Sequence, residues 1–236
     1  MFDCKLLGVL LAALTLACGA PPETPVEVVE EASEVPAADT AGAEVSEVAP
    51  TAPGSTRFEL GEGTRVYYRV REQLVGVSFL NDAVGVSDGI SGAIVVGSDG
   101  SVDSSQSRLT LDLSTFSSDQ ARRDNFVRRR LFEVEQHPEA VFVARSASSS
   151  PLPPENPETL FPIVGFQLVG DMTLHGVTDE ITWDVLATYN DEGVVEGKAQ
   201  TNFSFSKFNL TTPELPFLLT VEDEIRLEID FKVSRL

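Results

Sequence analysis

The chain has 236 residues and a formal net charge of -20, from 17 basic and 37 acidic side chains. A chain this acidic is repelled by phosphate backbones and anionic lipid surfaces, and no long basic stripe offsets the charge, which argues against nucleic acid as a partner. The two cysteines, Cys4 and Cys18, both lie near the amino terminus. The rest of the chain therefore has no disulfide framework and no thiolate metal site.

An apolar run over residues 6–17 follows Lys5 and ends in small residues just before Cys18. A helix that crosses a bilayer needs about 20 apolar residues, so this shorter run predicts a signal peptide over residues 1–17. The five residues that end at Cys18 (LTLAC) resemble a bacterial lipobox, in which the cysteine is acylated after cleavage. We expect an exported, extracytoplasmic protein of the bacterial envelope with a lipid anchor on Cys18; plain secretion is the alternative.

The next segment, residues 18–56, is rich in Pro, Glu, Ala and Val and contains no aromatic or basic residue. It repels itself, has little to bury and is stiffened by proline, which predicts a disordered acidic tether. Composition changes sharply only once, at the end of this segment. We therefore expect one folded domain over residues 57–236, long enough to bury a core of its own.

Alternating apolar and polar residues predict strands through most of this domain. The turn signals between them, such as Asp88-Gly89 and His175-Gly176, leave no room for crossover helices, so the sheet is predicted to be antiparallel. One segment, 118–131, suggests a helix capped by Ser117 or Ser118. About eight strands are predicted, over residues 66–70, 90–96, 109–113, 140–144, 164–174, 181–189, 195–205 and 225–233. The pattern predicts an all-β domain but does not separate a barrel from a sandwich.

Three stretches stand out as motifs: residues 109–119 (LTLDLSTFSSD) with the RDNF of 123–126, residues 132–142 (FEVEQHPEAVF), and residues 170–178 (GDMTLHGVT). On these motifs the chain resembles the YceI-like family of polyisoprenoid-binding proteins over roughly residues 61–236. The family often has Asp-Arg, an aromatic residue and Gly near the penultimate strand, where this chain has SKFNL (206–210). No head-group contact is carried over from that stretch.

The resemblance implies a lipocalin-like antiparallel barrel whose elongated cavity holds the tail of an isoprenoid lipid, such as a quinone or polyprenyl compound. Burial of one isoprene unit contributes roughly 3 to 4 kcal/mol, so a few units suffice for binding. The same inward side chains would also suit a solid core, because small barrels are often filled by their own residues. The expected cavity wall consists of Val66, Tyr68, Leu109, Leu111, Phe142, Phe166, Leu168, Leu174, Trp183, Tyr189, Phe203, Phe205 and Phe231.

Four polar residues near the motifs have structural and functional interpretations. For Arg123 and Asp124 we favour a structural ion pair that fixes the helix to the barrel mouth, with a lipid head-group contact as the alternative. His175 lies in a tight turn and His137 precedes Pro138, which favours turn or capping roles for both. Zinc needs three or four convergent ligands, and the two histidines have no ligand-spaced partners in the sequence, so no metal is expected.

The sequence has no Gly-rich phosphate loop, no Gly-x-Ser-x-Gly elbow and no cysteine nucleophile in the domain, so we expect neither catalysis nor a catalytic cofactor. The first hypothesis is a lipid-anchored protein that binds, carries or stores an isoprenoid lipid. The alternative is a ligand-free β-domain that its tether presents to another envelope protein. A homodimer is compatible with either.

Overall fold

A computed structural model describes residues 54–149, 163–189 and 194–236 of the chain. The predicted signal peptide, Cys18 and nearly all of the predicted tether lie outside these residues. In the described ranges, no helix combines the length and the apolar character that crossing a membrane requires.

The described residues form eleven strands with a few helical turns between them. The strands are β1 (Thr56–Leu60), β2 (Arg65–Leu74), β3 (Asn81–Ser87), β4 (Ile90–Val96), β5 (Arg108–Asp112), β6 (Ser117–Ser118), β7 (Glu139–Ser149), β8 (Ile163–Leu174), β9 (Val177–Tyr189), β10 (Val194–Phe203) and β11 (Leu218–Arg235). The helical elements are a 3-10 turn (Leu113–Thr115), helix α1 (Ala121–Phe126), a π-helical turn (Val127–Leu131) and a second 3-10 turn (Phe205–Phe208).

Three pairs of consecutive strands share one position each in the sheet. Strands β1 and β2 both lie antiparallel to β11, β3 and β4 lie beside β2 and β1, and β6 and β5 lie beside β3 and β4. With each pair counted once, the order is β1/β2, β3/β4, β5/β6, β7, β8, β9, β10, β11, and β11 pairs back to β1 and β2. The sheet is therefore a closed antiparallel barrel of eight strands with one short helix, as expected, and closure leaves no free edge.

The inward faces follow the predicted alternation. On β9, Ile181, Trp183 and Val185 are buried. Glu180, just before this set, and Thr182, within it, are exposed. Every second residue of an antiparallel strand points to the same side, so the apolar set lines the interior and the polar set faces water.

Several segments differ from the strand prediction. Leu113 lies in a 3-10 turn because the carboxylate of Asp112 accepts a hydrogen bond from the backbone N–H of Ser114 at 2.8 Å, which turns the chain away from the ladder. Phe205 also lies in a 3-10 turn, after β10 has ended. Strands β1, β3 and β6 were not predicted. On β3 the buried positions are Ala83, Gly85 and Ser87, which are too small to give an apolar signal.

The helix is shorter than predicted. Residues Ser117–Ser118 form β6, and α1 begins at Ala121 with no side-chain cap. The hydroxyl of Ser118, expected as a candidate cap, instead donates a hydrogen bond to Asp124 Oδ1 at 2.6 Å. Helix α1 leads directly into the π-helical turn.

Candidate ligand cavity

The barrel encloses a cavity of about 690 Å³ between strands of all eight positions. Its lining consists mostly of apolar strand residues, together with Val102 between β4 and β5, and Thr188 and Arg235 are the polar exceptions among the described residues. Trp183 lies in this wall with 5% of its surface exposed. The interior is therefore apolar and open, whereas the ligand-free alternative expects a filled core.

One end of the cavity reaches the barrel rim. Its wall there includes Val96 at the end of β4, Val164 near the start of β8, Thr188 near the end of β9 and Arg235 at the end of β11. Val164 is 48% exposed although its side chain is part of the wall. We call this end the mouth.

Buried aromatic residues fill the other end, which we call the closed end. Tyr68, Phe116 and Phe132 form a row, with ring centroids 5.2 Å apart for the first pair and 6.0 Å for the second. Phe203 and Phe208 contact each other edge to face at 4.9 Å. Phe208 belongs to the second 3-10 turn, and Phe116 and Phe132 directly follow the first 3-10 turn and the π-helical turn, so the irregular segments help to close the barrel at this end.

Eight of the residues expected in the wall do line the cavity: Val66, Leu109, Leu111, Phe142, Phe166, Leu168, Trp183 and Phe231. Tyr68, Leu174, Phe203 and Phe205 are buried but lie outside the cavity lining, in the core toward the closed end. The alternation of apolar and polar residues predicts that these side chains point inward. It does not predict how far along the barrel axis they lie. Tyr189 belongs to β9, but its side chain lies outside the described set.

The sequence reasoning missed several wall residues. Phe58 and Leu60 belong to β1, which was not predicted, and their alternation with Arg57 and Glu59 is the signal that was available. Ile94 lies in a predicted strand, but Ala93, Val95 and Val96 around it are also apolar, so the sequence shows no alternation there.

Two wall aromatics lie directly against glycines of the neighbouring strand. A Cβ atom at Gly197 would come within 2.6 Å of Phe231 Cζ and 2.1 Å of a backbone oxygen. A Cβ atom at Gly170 would lie 2.7 Å from Phe142 Cζ and 2.2 Å from the Val143 carbonyl oxygen. The missing side chains let both rings pack close to the sheet, which leaves room in the lumen.

Arg123 forms ion pairs that differ from the predicted one. Its Nη2 lies 3.3 Å from Glu72 Oε1 on β2, and its Nη1 contacts Asp119. The side chains of Arg123 and Glu72 are 16% and 9% exposed, so this pair is largely withdrawn from water. Asp124 instead accepts the hydrogen bond from Ser118. The pair joins α1 to β2 near the closed end and not at the mouth, because β2 runs from the cavity wall at Val66 toward that end.

The two histidines lie next to each other in space. His175 occupies the turn between β8 and β9 with a φ of 50°, and its ring centroid is 4.7 Å from that of His137. Glu133 lies beside both, with Oε2 3.5 Å from His175 Nε2. The turn position predicted for His175 is therefore observed, together with two neighbours that the sequence alone did not bring together.

A family model described as a YceI-like domain matches residues 61–233 of the chain. Among solved structures, a polyisoprenoid binding domain from Saccharophagus degradans implicated in plant cell wall breakdown is 12% identical, with a TM-score of 0.56 over 76% of this chain and 98% of that one. BcnA from Burkholderia cenocepacia is 18% identical, with a TM-score of 0.54 over 72% of this chain and 96% of that one.

No curated protein matches the chain significantly. At these low identities the two structures support the fold alone. The family model covers most of the chain, from just after β1 to near the end of β11. The chain therefore belongs to the YceI-like family.

Proposed function

We propose that this protein binds the tail of a long-chain isoprenoid lipid, such as a quinone or a polyprenyl compound, inside the barrel and carries or stores it. The observation that carries the proposal is the apolar cavity of about 690 Å³ with one end at the barrel rim. Protein sites for small molecules usually have volumes of about 300–1,000 Å³ and are lined mainly by apolar side chains. The proposed activity is binding without chemical turnover.

The cost of an empty interior supports an occupant. At about 24 cal/mol per Å³, a dry cavity of about 690 Å³ would cost on the order of 15 kcal/mol. An open mouth admits water and makes this figure an upper bound, but it is comparable to the net stability of a whole domain, about 5–15 kcal/mol. An alkyl chain would restore the missing contacts, at about 0.8 kcal/mol per buried CH2 group.

The comparisons favour an isoprenoid among long-chain lipids. The Saccharophagus degradans structure, which shares the fold, is described as a polyisoprenoid binding domain. In the wall of this chain, Phe166 lies opposite Val185 on the neighbouring strand, and Phe231 follows the branched residues Leu227 and Ile229 along β11. This uneven apolar surface suits a methyl-branched chain.

The proposal includes the location of the protein. We propose that it lies outside the cytoplasm with an acyl anchor on Cys18. Two features support this location: the apolar run over residues 6–17 and the lipobox-like segment that ends at Cys18. The test is membrane fractionation of a Cys18→Ser variant in a bacterial host. Loss of the protein from the membrane fraction is expected, and an unchanged distribution would refute the anchor.

A titration with a polyprenyl quinone tests binding in the cavity. Because Trp183 is the single tryptophan and lies in the wall, a quinone bound there should quench its fluorescence saturably. Ala199→Phe adds a ring at an inward, buried wall position and should weaken binding by about tenfold or more, since each 1.4 kcal/mol of lost contact is a factor of ten.

The matched control is Gln200→Phe on the same strand, whose side chain faces water. This variant should bind like the wild type. Equal affinity for the quinone in the wild type, Ala199→Phe and Gln200→Phe would show that the quinone binds elsewhere, and the proposal would fail.

A further inference from the structure

Three side chains that can bind a metal converge near the closed end of the barrel. One ligand atom each from Glu133, His137 and His175 lies within 4.8 Å of the other two. They come from two segments: Glu133 and His137 lie in the loop between the π-helical turn and β7, and His175 lies in the β8–β9 turn. Two imidazoles with one carboxylate are a common ligand set for zinc, with a fourth position left for water.

The spacing suits a tetrahedral ion. With bonds of about 2.0–2.2 Å, two ligand atoms in a tetrahedral zinc site lie roughly 3.4 Å apart. Glu133 Oε2 and His175 Nε2 are 3.5 Å apart, which is too long for a good hydrogen bond and suits the edge of such a site. His137 needs only a small ring movement to complete the third corner, since all three atoms already lie within 4.8 Å.

The second observation is the state of the His175 ring. Its side chain is 14% exposed, and both ring nitrogens are buried without a hydrogen-bond partner. A buried polar atom without a partner is costly, and native structures contain few of them. An ion on Nε2 would satisfy one of the two nitrogens.

The backbone holds the three groups in place at some cost. Glu133 and His175 have φ values of 49° and 50°, which are uncommon for residues other than glycine. The carbonyl of Glu133 accepts hydrogen bonds from the N–H groups of Gln136 and His137 at 2.8 and 2.9 Å, which folds His137 back toward it. A Cβ atom at Gly176 would lie 3.0 Å from His137 Cε1, so the turn packs closely against this ring.

We propose that Glu133, His137 and His175 form a binding site for one divalent transition-metal ion of the zinc type. The ion ties the β8–β9 turn to the chain that follows the helical segment. None of the three residues lines the cavity, so we expect the loading of the ion to be independent of lipid binding inside the barrel.

Equilibrium dialysis of the untagged full chain against Zn²⁺ tests the proposal. One equivalent should bind, and the unfolding temperature should rise with Zn²⁺ concentration because the ion binds only the folded site. We expect a large loss of Zn²⁺ affinity from each of three substitutions, His137→Gln, His175→Gln and Glu133→Gln. Loss of a residue that only hydrogen-bonds a metal ligand weakens binding by roughly 10- to 100-fold, and loss of a ligand itself should weaken it more. A Cys4→Ser/Cys18→Ser variant should keep the full equivalent, which excludes the thiols as the site.

A readout on the wild type does not depend on whether the variants fold. The chain has two histidines, so their ring proton signals can be assigned by NMR, and both should shift when Zn²⁺ is added and broaden with Co²⁺. Unperturbed histidine signals at one equivalent of Zn²⁺, or binding that survives all three Gln substitutions, would overturn the proposal.

Discussion

Tyr68 lies toward the closed end with 6% of its surface exposed and its ring against Phe116. Burial, the largest effect, raises the pKa of this phenol from 10.0 to about 12, although the nearby Arg123 guanidinium acts in the opposite direction. Nearby carboxylates of Asp124, Glu72 and Asp119 add smaller increases. The buried ring therefore resists ionisation when the surrounding chain is folded.

This shift predicts a loss of stability in alkali. The unfolded chain releases the Tyr68 proton near pH 10 and the folded chain near pH 12, so the contribution is complete below pH 10 and is lost between these values. The loss amounts to about 2–3 kcal/mol in the free energy of unfolding. Urea unfolding at several pH values should show a smaller loss for Tyr68→Phe than for the wild type. Parallel pH profiles for the two proteins would contradict the assignment.

The contact between the two histidines could not be predicted from the sequence. His137 and His175 were each expected in turns, and the position of His175 in the β8–β9 turn is as expected. Their approach to within 4.7 Å, with Glu133 alongside, depends on the pairing of β7 with β8 and on the path of the chain after the π-helical turn. Neither of these can be read from local spacing.

At the scale of elements, strands with strong alternation were predictable and short or small-residue strands were not. The inward and outward faces of β9 and β11 follow directly from their sequences, because a side-chain period of two fixes which residues share a face. Strand β3 carries alanine, glycine and serine inward, and β6 has only two residues, so hydrophobicity gives no signal for either. These strands exist because their neighbours supply the pairing partners.

The ends of elements account for some of the predicted wall residues that lie outside the cavity lining. Phe205 continues the alternation of β10 but lies past its end, where its N–H donates to Asp223 Oδ1 at 3.0 Å and the chain enters a 3-10 turn. Leu174 is the last residue of β8, beside the turn that holds His175. Periodicity alone does not indicate where a strand stops, and this limited the prediction of the site more than that of the fold.

The Arg123–Glu72 pair links a helix and a strand that were both predicted with other bounds, and the partner of Arg123 differs from the expected one. Arg123 and Asp124 belong to a motif that matches the family, and a structural ion pair that fixes the helix was expected there. Successive residues on a helix point in different directions, so the guanidinium reaches Glu72 on β2 while Asp124 faces Ser118. The contact anchors α1 to the barrel wall.

At the scale of the whole molecule, barrel closure and the cavity have one origin. Eleven strands in eight positions close the sheet with apolar inward faces, and aromatic rings from the strands and from the irregular segments fill one end. Glycines at positions such as 170 and 197 let wall aromatics pack against the sheet. The family motifs predicted the closed barrel, which the alternation pattern did not separate from a sandwich. The size of the lumen could be determined only from the structure, because it depends on how far each aromatic ring projects into the barrel interior.

The central claim is that an isoprenoid lipid occupies this lumen. The most direct measurement is mass spectrometry of lipid extracted from the full chain after gentle purification from a bacterial membrane fraction, with the Ala199→Phe protein prepared in parallel. We predict near-stoichiometric polyprenyl or quinone lipid from the wild type and clearly less from the variant. Wild-type protein that yields no such lipid, or a variant that yields as much, would contradict the account.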